Sequence, residues 1–421
     1  MKRVRLLFLF VLSGMVLLSA GNAEAAKGRA KVNCGKAVCD CGNEGTWCGQ
    51  VDWAFSLFRE ALPSKGNAVL SPFSVASALG LTGLGANGET GEEMAKVLGF
   101  PDFVEMLTVW PAVFGSFAGT TNENVRLEMT NSLWPKQEVA GHLNPRFLHY
   151  AKNVFRAEVR PISMNEAGKE AVNAFVASAT KGRIPQLLTE PPDAATALLV
   201  LNTVWLKAKW ATPFQPSRTG NSVFHATDGD LDVPFLHATE TFAYAKQEGM
   251  AAVCLPYIGD GLEMLVLLPD QGQDLATFEK GLSLEKLRAL QAAFKEEAVD
   301  LALPKFEMES AVDLKEPLQA MGMKKAFTGD ADFSGISRDV SLSISQVFQK
   351  ANITVDEEGT EAAAATAVMM MRSMPPVRPT VSFRADRPFF FVIRHCKTNL
   401  VLFLGRVEKP VAPKGKAAFE K

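Results

Sequence analysis

The chain has 421 residues, 47% of them hydrophobic, enough to bury a large core. Lys and Arg number 44 against 46 Asp and Glu, a net charge of −2 without a long block of one sign, which argues against a nucleic-acid binder or a polycation-driven membrane protein. Charged content of 21% with 9% aromatics describes a globular chain, and five histidines without a tract leave little for a histidine metal site.

Met1–Ala25 reads as a signal peptide. Lys2, Arg3 and Arg5 precede the apolar stretch Leu6–Leu18, and Ala23-Glu24-Ala25 offers small residues for cleavage before Ala26. The apolar run is short for a membrane span, so the product is expected to be secreted, extracellular or periplasmic, with no membrane attachment once the signal is removed. Residues 26–50 form a cysteine-rich extension. Cys34, Cys39, Cys41 and Cys48 lie among glycines and, in an oxidising compartment, suggest two disulfides in any of three connectivities. A zinc knuckle fits the spacing poorly, and unpaired thiols are the other alternative. Cys254 and Cys396 sit in apolar runs and read as buried thiols.

Helices are expected at Val51–Leu62, from Ser71-Pro72 onward, and at Glu92–Leu98, Pro145–Val154, Glu166–Thr180 and Leu284–Lys295. Ser71 should cap the second of these, with Pro72 at its first position. Strands are expected at Leu127–Leu133, Leu198–Leu206, Ala251–Leu255, Glu263–Leu268, Val299–Leu303, Leu342–Ile353, Phe389–Arg394 and Leu400–Gly405. Helices mostly precede strands, which points to an α+β chain. Length alone suggests two or three domains.

Chemical motifs are few. Gly83-Leu-Gly85-Ala-Asn-Gly88 matches G-x-G-x-x-G but follows a helical pattern, so it reads as a helix-ending turn. No Walker loop, nucleophile elbow or helical His pair is present. His225 and His237 fall in loop-like surroundings, and Glu296-Glu297 reads as solvated helix surface. The chain is not expected to be an enzyme, and no cofactor or metal is implied. Asp356–Ala365 has the acids and alanines of a helix start, yet lies between a strand and the exposed Arg372 ahead of Pro375-Pro376, which suits a loop equally.

Val355-Asp356-Glu357-Glu358-Gly359-Thr360-Glu361-Ala362-Ala363-Ala364-Ala365-Thr366-Ala367 resembles the loop hinge of inhibitory serpins. The resemblance extends over 51–410 through Asn67-Ala-Val-Leu-Ser71-Pro72-Phe-Ser74, Leu201-Asn202-Thr-Val-Trp205, Leu255-Pro256-Tyr257, Leu303-Pro304-Lys305-Phe306 and Phe383-Arg384-Ala-Asp386-Arg387-Pro388-Phe389. It implies the serpin fold in one domain, with three β-sheets, eight or nine helices and an exposed reactive-centre loop at about 357–382, followed by a tail at 411–421.

The function so implied is single-use, irreversible inhibition of a serine protease, the partner held as a covalent acyl-enzyme while the cut loop enters the main sheet. A monomer is the expected state. The hinge is Glu357, Gly359, Thr360, Glu361, Ala362, Ala363, Ala364 and Ala365. Period two puts Thr360, Ala362, Ala364 and Thr366 on one face of the inserted strand. Counted from Gly359, the family's commonest hinge length lands on Ser373 and a one-residue-shorter hinge, also found in the family, on Arg372; the exposed arginine makes Arg372-Ser373 the expected bond, suited to trypsin-like proteases, with the bonds at Met371 and between Ser373 and Met374 as the alternatives. Ser71, Ser74 and Asn202 match the polar cluster under the sheet opening, and Trp210 matches the aromatic where insertion begins. The fourth cluster position, usually histidine, is Gln349, which can still donate and accept. A non-inhibitory serpin acting as carrier, chaperone or storage protein is the alternative; it would be expected to have bulky or charged hinge residues, where this chain has Thr360 and alanines.

Overall fold

Apolar residues at helical spacing bury one face of α1 (Cys48–Ala61), with Phe55, Leu57 and Phe58 in the core. The computed structural model describes residues 48–413, except 101–102, 105–106, 108–109, 112–123, 181, 183, 194–195, 260, 361–379 and 397–398. The signal sequence, Cys34, Cys39, Cys41, the hinge residues Glu361 and Ala362–Ala365, the candidate bonds at Met371, Arg372, Ser373 and Met374, and the tail beyond 413 lie outside the described residues. The described residues fall in one unit, Asn33–Lys421.

After α1 come β1 (Ala68–Leu70), α2 (Pro72–Gly83) and α3 (Gly88–Leu98). The glycine motif is the turn between the two helices. Gly85 packs so tightly that a Cβ would lie 2.2 Å from the Ile336 side chain. Next are β2 (Val125–Pro135), α4 (Pro145–Asn153), β3 (Glu158–Val159), α5 (Glu166–Ala179) and β4 (Leu198–Lys209). Then follow β5 (Gly220–Ala226), β6 (Gly229–Gln247), β7 (Met250–Pro256), β8 (Leu262–Pro269), α6 (Leu275–Lys280) and α7 (Leu284–Ala293). The chain continues with β9 (Lys295–Pro304), β10 (Phe306–Asp313), α8 (Lys315–Ala320), β11 (Ile344–Val355), β12 (Gly359–Thr360), β13 (Val381–Arg384), β14 (Phe389–His395) and β15 (Leu400–Val407).

Among the described residues the strands form two hydrogen-bonded networks. One has nine strands, in the order β1-β15-β14-β8-β7-β6-β9-β13 with β5 added on β6; the other has six, in the order β10-β11-β12-β4-β2-β3. Three expected sheets appear as two networks because β6, 19 residues long, pairs with β5, β9 and β7 along successive stretches. The α+β class holds.

Several local expectations are corrected. The β5–β6 hairpin, turning at Thr227-Asp228 with Gly229 following at φ 136, places His225 and His237 on strands. The helix expected to reach Lys295 ends at Ala293, because Phe294 is extended (φ −61, ψ 132) and Lys295 opens β9. Glu296 and Glu297 therefore lie on that strand, opposite Ala243 and Phe242. No helix starts at Asp356: Asp356–Gly359 is a tight turn into β12. Among the described residues no helix is long and apolar enough to cross a membrane, and no group of three His, Cys, Asp or Glu could hold a metal ion.

Candidate functional site

In the six-stranded sheet β11 runs parallel to β4, pairing at eight positions from Ile344 with Leu198 to Asn352 with Trp205. Beneath this seam lies a buried polar cluster. Gln349 stands opposite Asn202 in register and donates from Nε2 to Asn202 Oδ1 at 3.0 Å and to the Ser71 carbonyl at 2.9 Å. Its Oε1 accepts from the Ser71 N–H at 3.0 Å, and Ser74 Oγ donates to Asn202 Oδ1. Ser71 thus occupies the N-cap position of α2 without making a side-chain cap; its backbone groups are held by Gln349, and its hydroxyl finds no partner among the described residues. Pro72 sits at the first helical position as expected.

The cluster reaches further than the sequence suggests. Asn202 Nδ2 donates to Asn131 Oδ1 at 2.7 Å, Asn131 Nδ2 to Ser77 Oγ at 2.7 Å, and Trp110 Nε1 to Ser77 Oγ at 3.1 Å. Asn131, Ser77 and Trp110 carry no local signature that would mark them. They meet because β2 pairs Asn131 with Asn202 and α2 lies under both strands. Satisfied buried polar groups fix a unique arrangement, and parting β11 from β4 must break the Gln349–Asn202 bond while the Asn131 and Ser77 bonds hold β4, β2 and α2 together.

Trp210 does not belong to this cluster. It lies eight residues beyond Asn202, about 26 Å along an extended chain, at the other end of the seam. There it holds the turn at Asp356–Gly359. Its backbone N–H donates to the Glu358 carbonyl at 2.8 Å and its indole N–H to the Asp356 carbonyl at 3.0 Å. The Phe214 N–H donates to the Glu357 carbonyl at 2.8 Å. Asp356 closes the turn, its carboxylate accepting from the N–H groups of Glu358 at 2.9 Å and Gly359 at 3.2 Å. Gly359 is required for close approach, since a Cβ would lie 2.0 Å from the Ala208 carbonyl oxygen. β12 then wedges into the top of the seam, with Thr360 antiparallel to Ala208 on one side and Val355 on the other.

Charge holds the same turn. Lys305 Nζ lies 2.8 Å and 3.0 Å from the two Glu357 oxygens, and Thr219 Oγ1 donates to Glu357 at 2.9 Å. Burial alone would raise the Glu357 carboxyl, but the hydrogen bonds from Lys305, the backbone and Thr219 hold it below its usual range. Burial pushes the Asp356 carboxyl up, against the pull of its two N–H donors and Lys305.

Elsewhere, a cleft of about 540 Å³ is lined by Asp270, Arg387, Asp386 and His225, which pair with Lys246, with each other and with Asp230. The buried Cys254 donates from its thiol to Glu263, and Cys396 is half-buried. None of the residues lining the cleft belongs to β4 or β11.

With this geometry established, comparison with known proteins gives a consistent result. The serpin (serine protease inhibitor) family model matches residues 49–410. An uncharacterized serpin-like protein of Thermococcus kodakarensis is 36% identical, over 85% of this chain and 84% of its own length. A leukocyte elastase inhibitor of Bos taurus is 35% identical, over 82% of this chain and 93% of its own length. The solved structure of thyroxine-binding globulin with thyroxine superposes with a TM-score of 0.76 at 28% identity, covering 86% of this chain and 99% of that one. The chain belongs to the serpin family.

Proposed function

We propose that this serpin is a secreted inhibitor that irreversibly traps a trypsin-like serine protease. The protease serine attacks the Arg372 carbonyl, the Ser373 amine leaves with a proton from the protease histidine, and Arg372 remains esterified to the enzyme. Before water completes hydrolysis, the freed strand enters the seam and carries the protease away. The observation that carries this reading is the position of Thr360, already paired between β11 and β4 at the seam's upper end.

Register supports the path. Each further loop residue would step one position down both strands. Ala363 would come between Trp205 and Asn352, which now pair with each other. Ala364 would meet Val204 and Ala351, and Thr366 would meet Asn202 and Gln349. Met370 would reach Leu198, the first residue of β4, which leaves Arg372 and its ester just past the far end. One parallel pairing would become two antiparallel ones, slightly more stable per residue.

The leukocyte elastase inhibitor among its relatives supports inhibition, and the small hinge residues support insertion. Cys34, Cys39, Cys41 and Cys48 are proposed to pair as two disulfides in the exported chain. Incubating the mature protein with trypsin should give an SDS-stable complex and release a fragment beginning at Ser373. Cleavage without a complex would instead favour a carrier, chaperone or storage role.

A further inference from the structure

Tyr257 enters the sequence reading only as part of a motif, without a role. In the structure it follows β7, is fully buried, and stacks on Trp210 with centroids 4.5 Å apart and planes 10° apart. Its hydroxyl lies 2.6 Å from Thr360 Oγ1, also fully buried. An isolated β-bridge joins Tyr257 to Trp210, and the Trp210 N–H and indole hold the Glu358 and Asp356 carbonyls. The phenol is thus fixed by the same residue that fixes the hinge turn.

We propose that Tyr257 and Thr360 form a latch that seats the first loop residue in the seam before a protease arrives. Insertion then extends a strand already begun. The proposal rests on the inhibitory reading and deepens it, because it names the residues that set where insertion starts. Seating Thr360 orders its backbone and buries its hydroxyl, both of which cost free energy. The Tyr257 hydroxyl offsets that cost with a bond made only when the hinge is seated. Burial pushes the phenol's ionisation upward, so it remains a neutral partner through the physiological range. Once the loop is cut, insertion competes with deacylation, and a strand with its first pairs formed avoids the slow initial closure. Tyr257 is therefore a positioning residue, acting on the loop through Thr360.

The test compares full-length wild type, Tyr257→Phe, Thr360→Val, the double variant and Thr360→Ser. Phe keeps the ring and its stacking on Trp210; Ser keeps the hydroxyl. Native-state hydrogen exchange of peptides covering 356–361 should be about tenfold faster in the two single variants, the size expected for one buried hydrogen bond. The double variant should be no faster than either single, and Thr360→Ser should match wild type. With trypsin, the single variants should need several-fold more inhibitor per enzyme at an unchanged rate of loop cleavage. Unchanged exchange in Tyr257→Phe, or additive effects in the double variant, would overturn the latch. A wild type that trypsin cuts without forming a complex would overturn the inhibitory reading instead, while exchange still decides the latch.

Discussion

Gln349 and Asn202 face each other across the β4–β11 seam and are joined by a 3.0 Å hydrogen bond from Gln349 Nε2 to Asn202 Oδ1. Insertion of a strand must break that bond, so its partners set part of the barrier to opening. Ser71 through its backbone, and Ser74, Asn131, Ser77 and Trp110 through their side chains, complete the network, and none of these side chains titrates near neutral pH.

A histidine at this position should therefore create a pH dependence that the glutamine lacks. In Gln349→His, burial would depress the imidazole pKa below its unfolded value of about 6.5. A depressed folded pKa means protons bind the open or unfolded chain more tightly, so stability is lost as pH falls through that value. The melting midpoint of the variant relative to wild type should hold steady from pH 8 to 7 and drop progressively toward pH 5.5. A difference that stays constant over that range would show that the site does not sense protonation.

The Glu357–Lys305 pair should lose its contribution in the same direction, as pH falls, but in a more acidic window. The two side chains keep only 15% and 22% of their surface exposed, so screening reduces the interaction without abolishing it. Glu357 has a lowered folded pKa, hence its stabilisation is present above the unfolded value of about 4.3 and is lost as pH falls through the folded one. Glu357→Gln should cost about 1 kcal/mol at pH 7 and progressively less toward pH 4, read as a difference in denaturation midpoint. Equal losses at both pH values would remove charge from the explanation.

Arg372 is the substrate anchor in the proposed function, since its guanidinium suits an acidic specificity pocket through a charge-assisted bidentate contact. Arg372→Ala should slow association with trypsin by about 100-fold or more, the effect of leaving a buried pocket charge unpaired. The melting curve should be unchanged. Undiminished trapping of trypsin would move the reactive bond to Met371 or to Ser373–Met374.

The resemblance to a serpin hinge is legible because its residues are contiguous: Asp356, Gly359, Thr360 and the alanines stand in one run. Its consequences are less so. Nothing near Asn131, Ser77 or Trp110 marks them as partners of Asn202, because only the pairing of β2 with β4 and the placement of α2 bring them together. Tyr257 likewise acquires a partner 103 residues away through the fold. Ser71 is a helix cap by type and stands at the N-cap, but its hydroxyl makes no cap bond; Gln349 holds its backbone N–H and carbonyl instead. The β5–β6 hairpin escaped because its alternation is weak: His225, Asp230 and Asp232 take the solvated positions, and Phe224, Val233 and Phe235 are buried on the opposite face.

The last prediction tests insertion while leaving the seated hinge alone. In the proposed register Ala364 falls between Val204 and Ala351, both buried on the core side of the sheet. Ala364→Arg should not disturb the native protein, because Thr360 remains paired with Ala208 and bonded to Tyr257. After cleavage the arginine has to enter a space bounded by a valine and an alanine, where an unpaired charge costs several kcal/mol even after relaxation. Insertion competes with deacylation, and each ~1.4 kcal/mol added to its barrier slows it about tenfold. The variant should be cut at the same bond and at the same rate, yet release active trypsin. Loop cleavage should raise the melting temperature of wild type, by completing the sheet, and leave that of the variant nearly unchanged. Stoichiometry of inhibition and melting before and after cleavage decide it. An Ala364→Arg protein that inhibits at wild-type stoichiometry would exclude insertion along this seam and point to a tight reversible blockade of the protease.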